Sequence, residues 1–335
     1  MGKLTIIGGT KNRKSSVIDK IYNSFIETNS FKYIELHNGK IIPKDISNSN
    51  LTIWMPDIAN EEPKHYPVKK QGSVLICSKV IHNDRTRIDA ITRIFRMHGN
   101  AVIAIRKIIN NSFEFELIDA LGNTWCRTID ILELVHTINS LYKWTKESVR
   151  KSLKHNELPD NVFNGVDYKE LQIFMNINQL IALKVAEGCG NRFFGNYSTR
   201  CTKLFPSTRR NKNYFFFSPR NTDKRFVTIK DLVLTDNQYY YGNRKPSVDT
   251  PAQIELYQQM PKINWIIHGH AYIKNAPITE KYLPCGDMRE VVEVHRVIRK
   301  INTNRINLKN HGFLLIGKNV EDMQNHLDDC NFHAL

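Results

Sequence analysis

The chain lacks any run of 18 uncharged apolar residues, so a membrane-spanning helix is not expected. It also lacks a Cys-x-x-Cys pair. Its six cysteines, Cys77, Cys126, Cys189, Cys201, Cys285 and Cys330, are scattered, which argues against both a disulfide framework and a cysteine zinc site. No apolar stretch or small-residue cleavage site follows the opening LTIIGG, so no secretory signal is expected. A reducing, cytoplasmic compartment fits these absences. Internal repeats and low-complexity tracts are missing too. Acidic residues are in deficit, with 33 Asp and Glu against 48 Lys and Arg, a formal charge of +15. Such an excess draws anions, whether nucleic acid, a membrane surface or phosphorylated metabolites. Runs such as Arg209-Arg210-Asn211-Lys212 read more simply as solvated faces.

With 335 residues, two domains are the expectation. The polar stretch Thr145 to Asp160, closed by the turn signal Pro159-Asp160-Asn161, places them at 1–150 and 160–335. In the first, Leu4 to Ile7, Leu51 to Met55, Ser73 to Cys77 and Ala101 to Ile105 read as buried strands. Helices are expected over Val17 to Ile26, Arg85 to Met97 and Ile129 to Tyr142, and a hairpin over Phe113 to Arg127. Alternating strands and helices imply an α/β domain built on a parallel sheet, Rossmann-like or flavodoxin-like. The turn after its first strand, with Gly8, Gly9, Thr10, Lys14 and Ser15, has the makings of an anion site at a helix start. Arg13 stands where a phosphate-binding loop of the Walker type needs its second glycine, so the turn is equally an ordinary α/β connection.

In the second half, Asn264 to Tyr272 is an apolar, β-branched run carrying His268 and His270. Residues two apart on a strand share a face, so the two imidazoles project together while Trp265, Ile267, Gly269 and Ala271 pack on the other side. Neutral imidazole nitrogens suit zinc. Alone, a His-x-His pair is more often two hydrogen-bonded histidines. Here it lies between Lys245-Pro246-Ser247-Val248-Asp249-Thr250-Pro251, which opens a helix with Thr250 suited to cap it, and Asn310-His311-Gly312, which feeds a strand. Upstream stand Gly195-Asn196-Tyr197-Ser198-Thr199-Arg200 and Phe217-Ser218-Pro219-Arg220-Asn221.

Together, in this order, these segments resemble the class II aldolase and adducin family over roughly the last half of the chain. The resemblance implies an α/β/α domain with a central, mostly antiparallel sheet. It implies one Zn2+ per chain on His268, His270 and His311, with Asp249 as the catalytic carboxylate moving a proton. Gly195, Asn196, Ser218, Arg220, Asn221 and Ser247 would hold the substrate's phosphate. The implied activity is that of a lyase or epimerase acting on a small phosphorylated sugar, with C–C cleavage eased by a stabilised enediolate. A homotetramer is the implied assembly.

Departures from the family pattern leave the branch open. Val248 removes a serine hydroxyl, and Arg220-Asn221 stand where Thr-Gly is common. Asp249, rather than Glu, resembles the ribulose-phosphate 4-epimerase branch, yet no aspartate directly precedes Pro284-Cys285. A non-catalytic module of the adducin kind is the alternative, against which the histidine trio stands. A nucleic-acid-associated protein ranks below it, because Lys and Arg are spread through both halves.

Overall fold

The computed structural model describes residues 2–8, 16–37, 48–55, 72–108, 112–157, 168–185, 193–201 and 213–334. They fall into two compact units, Met1–Val149 and Arg150–Leu335.

The first unit runs β1 (Lys3–Ile7), α1 (Ser16–Glu27), β2 (Tyr33–His37), β3 (Leu51–Trp54), β4 (Val74–Val80), α2 (Asp84–Arg96), β5 (Ala101–Lys107), β6 (Phe113–Asp119), β7 (Thr124–Thr128) and α3 (Ile131–Lys151). Its sheet has the order β2-β1-β3-β4-β5-β6-β7. The strands from β2 to β5 are parallel, and β6 and β7 add an antiparallel hairpin at one edge. Because side chains alternate along each strand, the sheet buries two faces. Leu4 and Ile6 pack with Ile18, Ile21 and Phe25 of α1 and Leu134 and Ile138 of α3. Ile7, Leu75 and Val102 pack with Ala90 and Ile94 of α2 on the other side.

Two features depart from the sequence expectation. β2 was not expected: Tyr33 to His37 is a largely open edge strand, and its paired backbone rather than an apolar pattern marks it. α3 continues to Lys151, nine residues past the expected Tyr142, so the polar stretch after Thr145 begins as helix. At the first turn, Gly8 has φ 129°, and a Cβ there would meet the Met55 carbonyl oxygen at 2.4 Å. The close approach of β3's end requires glycine whether or not anything binds. Gly9, Thr10, Lys14 and Ser15 lie outside the described residues.

The second unit runs β8 (Lys154–Asn156), α4 (Tyr168–Val185), β9 (Asn196–Arg200), β10 (Phe215–Phe217), β11 (Val233–Thr235), β12 (Tyr239–Tyr241), α5 (Thr250–Gln259), β13 (Trp265–Gly269), β14 (Ala271–Ile273), α6 (Arg289–Ile301), β15 (Arg305–Leu308), β16 (Gly312–Gly317), α7 (Val320–Asp329) and β17 (Phe332–Ala334). The main sheet has the order β15-β16-β13-β9-β10-β11-β12-β8 and is antiparallel except for the β12–β8 pair. β14 and β17 form a separate two-stranded sheet. Trp265 and Ile267 of β13 pack against Phe174 and Met175 of α4 and Met323 of α7. Ile266 faces the opposite way, toward Leu256 and Tyr257 of α5 and Val291 and Val294 of α6. Helices thus cover both faces. By the same alternation His268 falls on the α5 and α6 side, at the strand's C-terminal end.

Candidate metal centre

The end of β13 and the start of β16 are neighbours in the sheet, with Gly269 opposite Phe313. Gly312 sits at φ 149°, and a Cβ on it would lie 1.9 Å from the Gly269 carbonyl oxygen. No other residue fits that approach. It sets His311, the residue before, against the β13 histidines. Ring centroids are 4.8 Å apart for His268 and His311, 5.0 Å for His268 and His270, and 5.5 Å for His270 and His311. One nitrogen from each ring lies within 4.8 Å of the other two.

Each ring is oriented by its surroundings. Nδ1 of His268 is 2.9 Å from the Phe313 carbonyl oxygen. A carbonyl only accepts, so Nδ1–H donates and Nε2 carries a bare lone pair. That Nε2 is buried and has no hydrogen-bond partner. Burial, reinforced by the neighbouring His311, lowers the His268 pKa to about 4. His270 lies just past the strand, stacked on Phe194 at 5.0 Å and 20°. Burial and the two neighbouring histidines hold its pKa well below the ordinary imidazole range. His311 is 1% exposed, with Nδ1 2.7 Å from Glu290 Oε2 and Nε2 3.2 Å from Cys285 Sγ. Burial resists charging this ring, but Cys285 and Glu290 outweigh it and raise the pKa well above the usual range. Glu290, on α6, is buried, which raises its own pKa against the pull of His311.

This donor set fits a divalent cation. A buried imidazole nitrogen with no partner is costly unless something occupies its lone pair. Three imidazoles leave positions open to further ligands. A ligating histidine that donates its other N–H to a carboxylate or a carbonyl is the usual support for a metal site, and His311 and His268 do so to Glu290 and Phe313.

Asp249 occupies the N-cap position of α5, yet its carboxylate makes no capping bond. Thr250, expected to cap, is inside the helix with a buried hydroxyl lacking a partner. The Asp249 carboxylate turns toward the histidines instead. Oδ1 accepts from the Gly286 N–H at 2.7 Å, and Oδ2 accepts from Ser247 Oγ at 3.0 Å and lies 4.0 Å from His268 Nε2. Asn196 Nδ2 reaches the same oxygen at 3.5 Å, and its Oδ1 is held by Gln253 Nε2 at 2.6 Å. Ser247, Asn196 and Asp249 therefore form one network beside the histidine trio.

The other expected phosphate contacts are more dispersed. Gly195, at φ 70°, directly precedes Asn196. Ser218 is fully buried and its Oγ accepts from the Tyr197 N–H at 3.2 Å. The following turn is tied to the segment before Asp249: Pro219 bridges Pro246, and the Arg220 N–H donates to the Lys245 carbonyl at 2.8 Å. Asn221 adopts φ 54°, which explains how it stands where glycine is common, since asparagine tolerates the left-handed region. Its Oδ1 accepts from the Phe193 N–H at 3.0 Å. The Arg220 side chain is exposed and forms no ion pair with a described residue. Lys224, buried beyond this turn, donates to the carbonyls of Pro219 and Thr222.

Sequence reasoning missed Glu290, Cys285 and Lys224 as parts of this site. A signal for Glu290 existed. It is four residues before Val294 and seven before Val297, on the apolar stripe of α6, where a carboxylate has to have a partner.

Residues 177–333 match the model of the class II aldolase and adducin N-terminal domain. An L-fuculose phosphate aldolase of Methanococcus maripaludis strain C5 is 23% identical over 135 residues, covering 34% of this chain and 72% of that protein. Among solved structures, a sugar-phosphate aldolase from Thermotoga maritima is 14% identical, with a TM-score of 0.38, over 48% of this chain and 90% of that one. An L-fuculose 1-phosphate aldolase from Glaciozyma antarctica is 15% identical, with a TM-score of 0.32, over 54% and 81%. With its histidine, asparagine and serine segments in the family's order, the C-terminal half of this chain is similar to the class II aldolase and adducin family, the match covering residues 177–333.

Proposed function

We propose that the C-terminal unit is a zinc-dependent lyase that cleaves a C–C bond in a small phosphorylated sugar. The observation that carries this reading is the histidine trio, above all the buried, unpartnered Nε2 of His268. His268, His270 and His311 would hold the cation. Bound there, it supplies a Lewis acid that polarises a carbonyl and stabilises the negative charge developing next to the breaking bond. A scaffold of the adducin kind needs no such cluster.

Asp249 moves the proton. Its carboxylate is held by Gly286 and Ser247 on the α5 side of the trio, within reach of a group held by the histidines. Asn196 and Ser247 orient that carboxylate, and with Gly195 and the Ser218-to-Asn221 turn they offer hydrogen-bond donors to a phosphate. Arg220 adds the charge. The residue before Pro284-Cys285 is Leu283, buried and without a proton to give, which favours cleavage over the epimerase alternative.

The experiment is an assay of the zinc-loaded protein against a panel of phosphorylated ketoses, following release of the aldehyde. Cleavage of at least one member, abolished by a chelator, is expected. Inversion of a hydroxyl without cleavage would replace the lyase reading by the epimerase one. No turnover of any member by metal-loaded protein would remove the catalytic reading.

A further inference from the structure

Cys285 lies in the turn between Pro284 and Asp287, just before α6. The turn is held at several points. The Asp287 N–H donates to the Pro284 carbonyl at 3.1 Å, the Gly286 N–H to Asp249 Oδ1 at 2.7 Å, and the Arg289 N–H to Asp287 Oδ1 at 2.9 Å. Gly286 takes φ 78°, which lets the chain reverse there. The sulfur is therefore carried on a fixed backbone, and it points at the histidines: Sγ is 3.2 Å from Nε2 of His311. That nitrogen is also the one His311 has left to offer a metal, because Nδ1 is taken by Glu290.

We infer that Cys285 supplies a fourth, sulfur ligand to the cation of the three-histidine site, giving a closed set of three nitrogens and one sulfur that a substrate has to open. The inference rests on the reading of the trio as a metal site. Two ligands of one tetrahedral zinc, with Zn–N of about 2.0–2.1 Å and Zn–S of about 2.3 Å, stand roughly 3.5 Å apart. The sulfur and His311 Nε2 are close to that separation without an ion. Asp249, the other candidate, has an oxygen 4.0 Å from His268 Nε2, but both of its oxygens already accept hydrogen bonds, from Gly286 and from Ser247. Asp249, Cys285 and His311 also keep their donor atoms within 4.8 Å of one another, so the sulfur, the carboxylate and one ring of the trio converge on one small volume. The unpartnered, buried Nε2 of His268 is the independent sign that a cation belongs at this point.

On binding, the thiol and the charged His311 ring would each give up one proton to solvent, and the sulfur would bond the metal with no change of oxidation state. A substrate oxygen would take the position as the metal–sulfur bond breaks, the freed thiolate recovering a proton from solvent. The sulfur also biases the choice of ion, since thiolate favours zinc and cobalt over magnesium and manganese.

Cobalt(II) reports both halves of this inference. The purified full chain, stripped by a chelator, is titrated with Co2+ alone and followed by absorption. The wild type is expected to show visible ligand-field bands together with a near-ultraviolet sulfur-to-cobalt charge-transfer band. C285S is expected to keep the ligand-field bands, lose the charge-transfer band and bind Zn2+ at least tenfold more weakly. Ligand-field bands without a charge-transfer band in the wild type would overturn the sulfur ligand and leave the histidine site standing. A charge-transfer band that persists in C285S would also overturn it. Absence of both bands from the wild type would overturn the metal site itself.

Discussion

The carboxylate of Glu290 stands 2.7 Å from Nδ1 of His311, both side chains buried at the end of the central sheet. The contact fixes the imidazole's tautomer and leaves Nε2 for a ligand. Replacing Glu290 by Gln keeps the shape and removes the charge. Zinc affinity, measured by competition with a chelator, should fall about 10- to 100-fold while the circular dichroism spectrum stays unchanged. An unaltered affinity would mean that Glu290 does not support the site.

Asp249→Asn should leave the metal bound and slow turnover of a phosphorylated ketose by about 100- to 10,000-fold, because the amide cannot accept a proton. Metal content and rate are to be measured on the same preparation. A variant with full metal and full rate would exclude the proton-transfer role.

Gly312→Ala tests the approach of β16 to β13. The added Cβ would meet the Gly269 carbonyl oxygen at 1.9 Å, and φ is 149°. Denaturant unfolding should show a loss of more than about 1 kcal/mol, and zinc affinity should fall because His311 is displaced. Wild-type stability would show that the backbone there yields.

The first unit offers a pH prediction. Burial pushes the Glu116 carboxyl up, but hydrogen bonds from Arg87, at 2.9 Å, and Thr124 outweigh it and hold the pKa below the ordinary range. The ionised form is thus favoured by folding. The stabilisation is present above the carboxyl's unfolded pKa and is lost as pH falls through the lower folded one. Glu116→Gln should cost about 1.5–3 kcal/mol at pH 7, and the gap to wild type should close in strongly acidic solution. A gap independent of pH would contradict the ion pair's contribution.

Arg220→Ala should weaken binding of a phosphorylated substrate by about 1.5–3 kcal/mol and leave its unphosphorylated counterpart nearly unaffected. An equal effect on both, or none on either, would mean that the phosphate is held elsewhere. The buried Lys224 is then the next cation to test.

Much of this architecture was legible before any coordinates, and the reason is periodicity. Buried strands such as β1, β3 and β5 are short apolar runs, and Trp265 and Ile267 alternate with Ile266 as a sheet between two helical layers demands. β2 was not legible because an edge strand is defined by pairing, and Tyr33 to His37 exposes much of its surface. At the site, two residues apart on a strand is a statement about direction, so His268 and His270 could be paired from spacing. His311 needed the family's order, since nothing local says that the loop before β16 returns to the end of β13. Cys285 and Glu290 were not read as neighbours of His311, because 26 and 21 residues separate them along the chain and only the turn before α6 brings them in. Asn221 is the opposite case: a departure from the family pattern that one backbone angle accounts for.

On the proposed function, His268, His270 and His311 bind one zinc per chain. The most direct test of this is the metal content of the purified full chain, by elemental analysis after zinc loading and removal of free ion, beside a His268→Ala/His270→Ala variant with the same circular dichroism spectrum. One equivalent of zinc in the wild type and less than a tenth of that in the variant is the expected result. Equal metal content in the two proteins would contradict it.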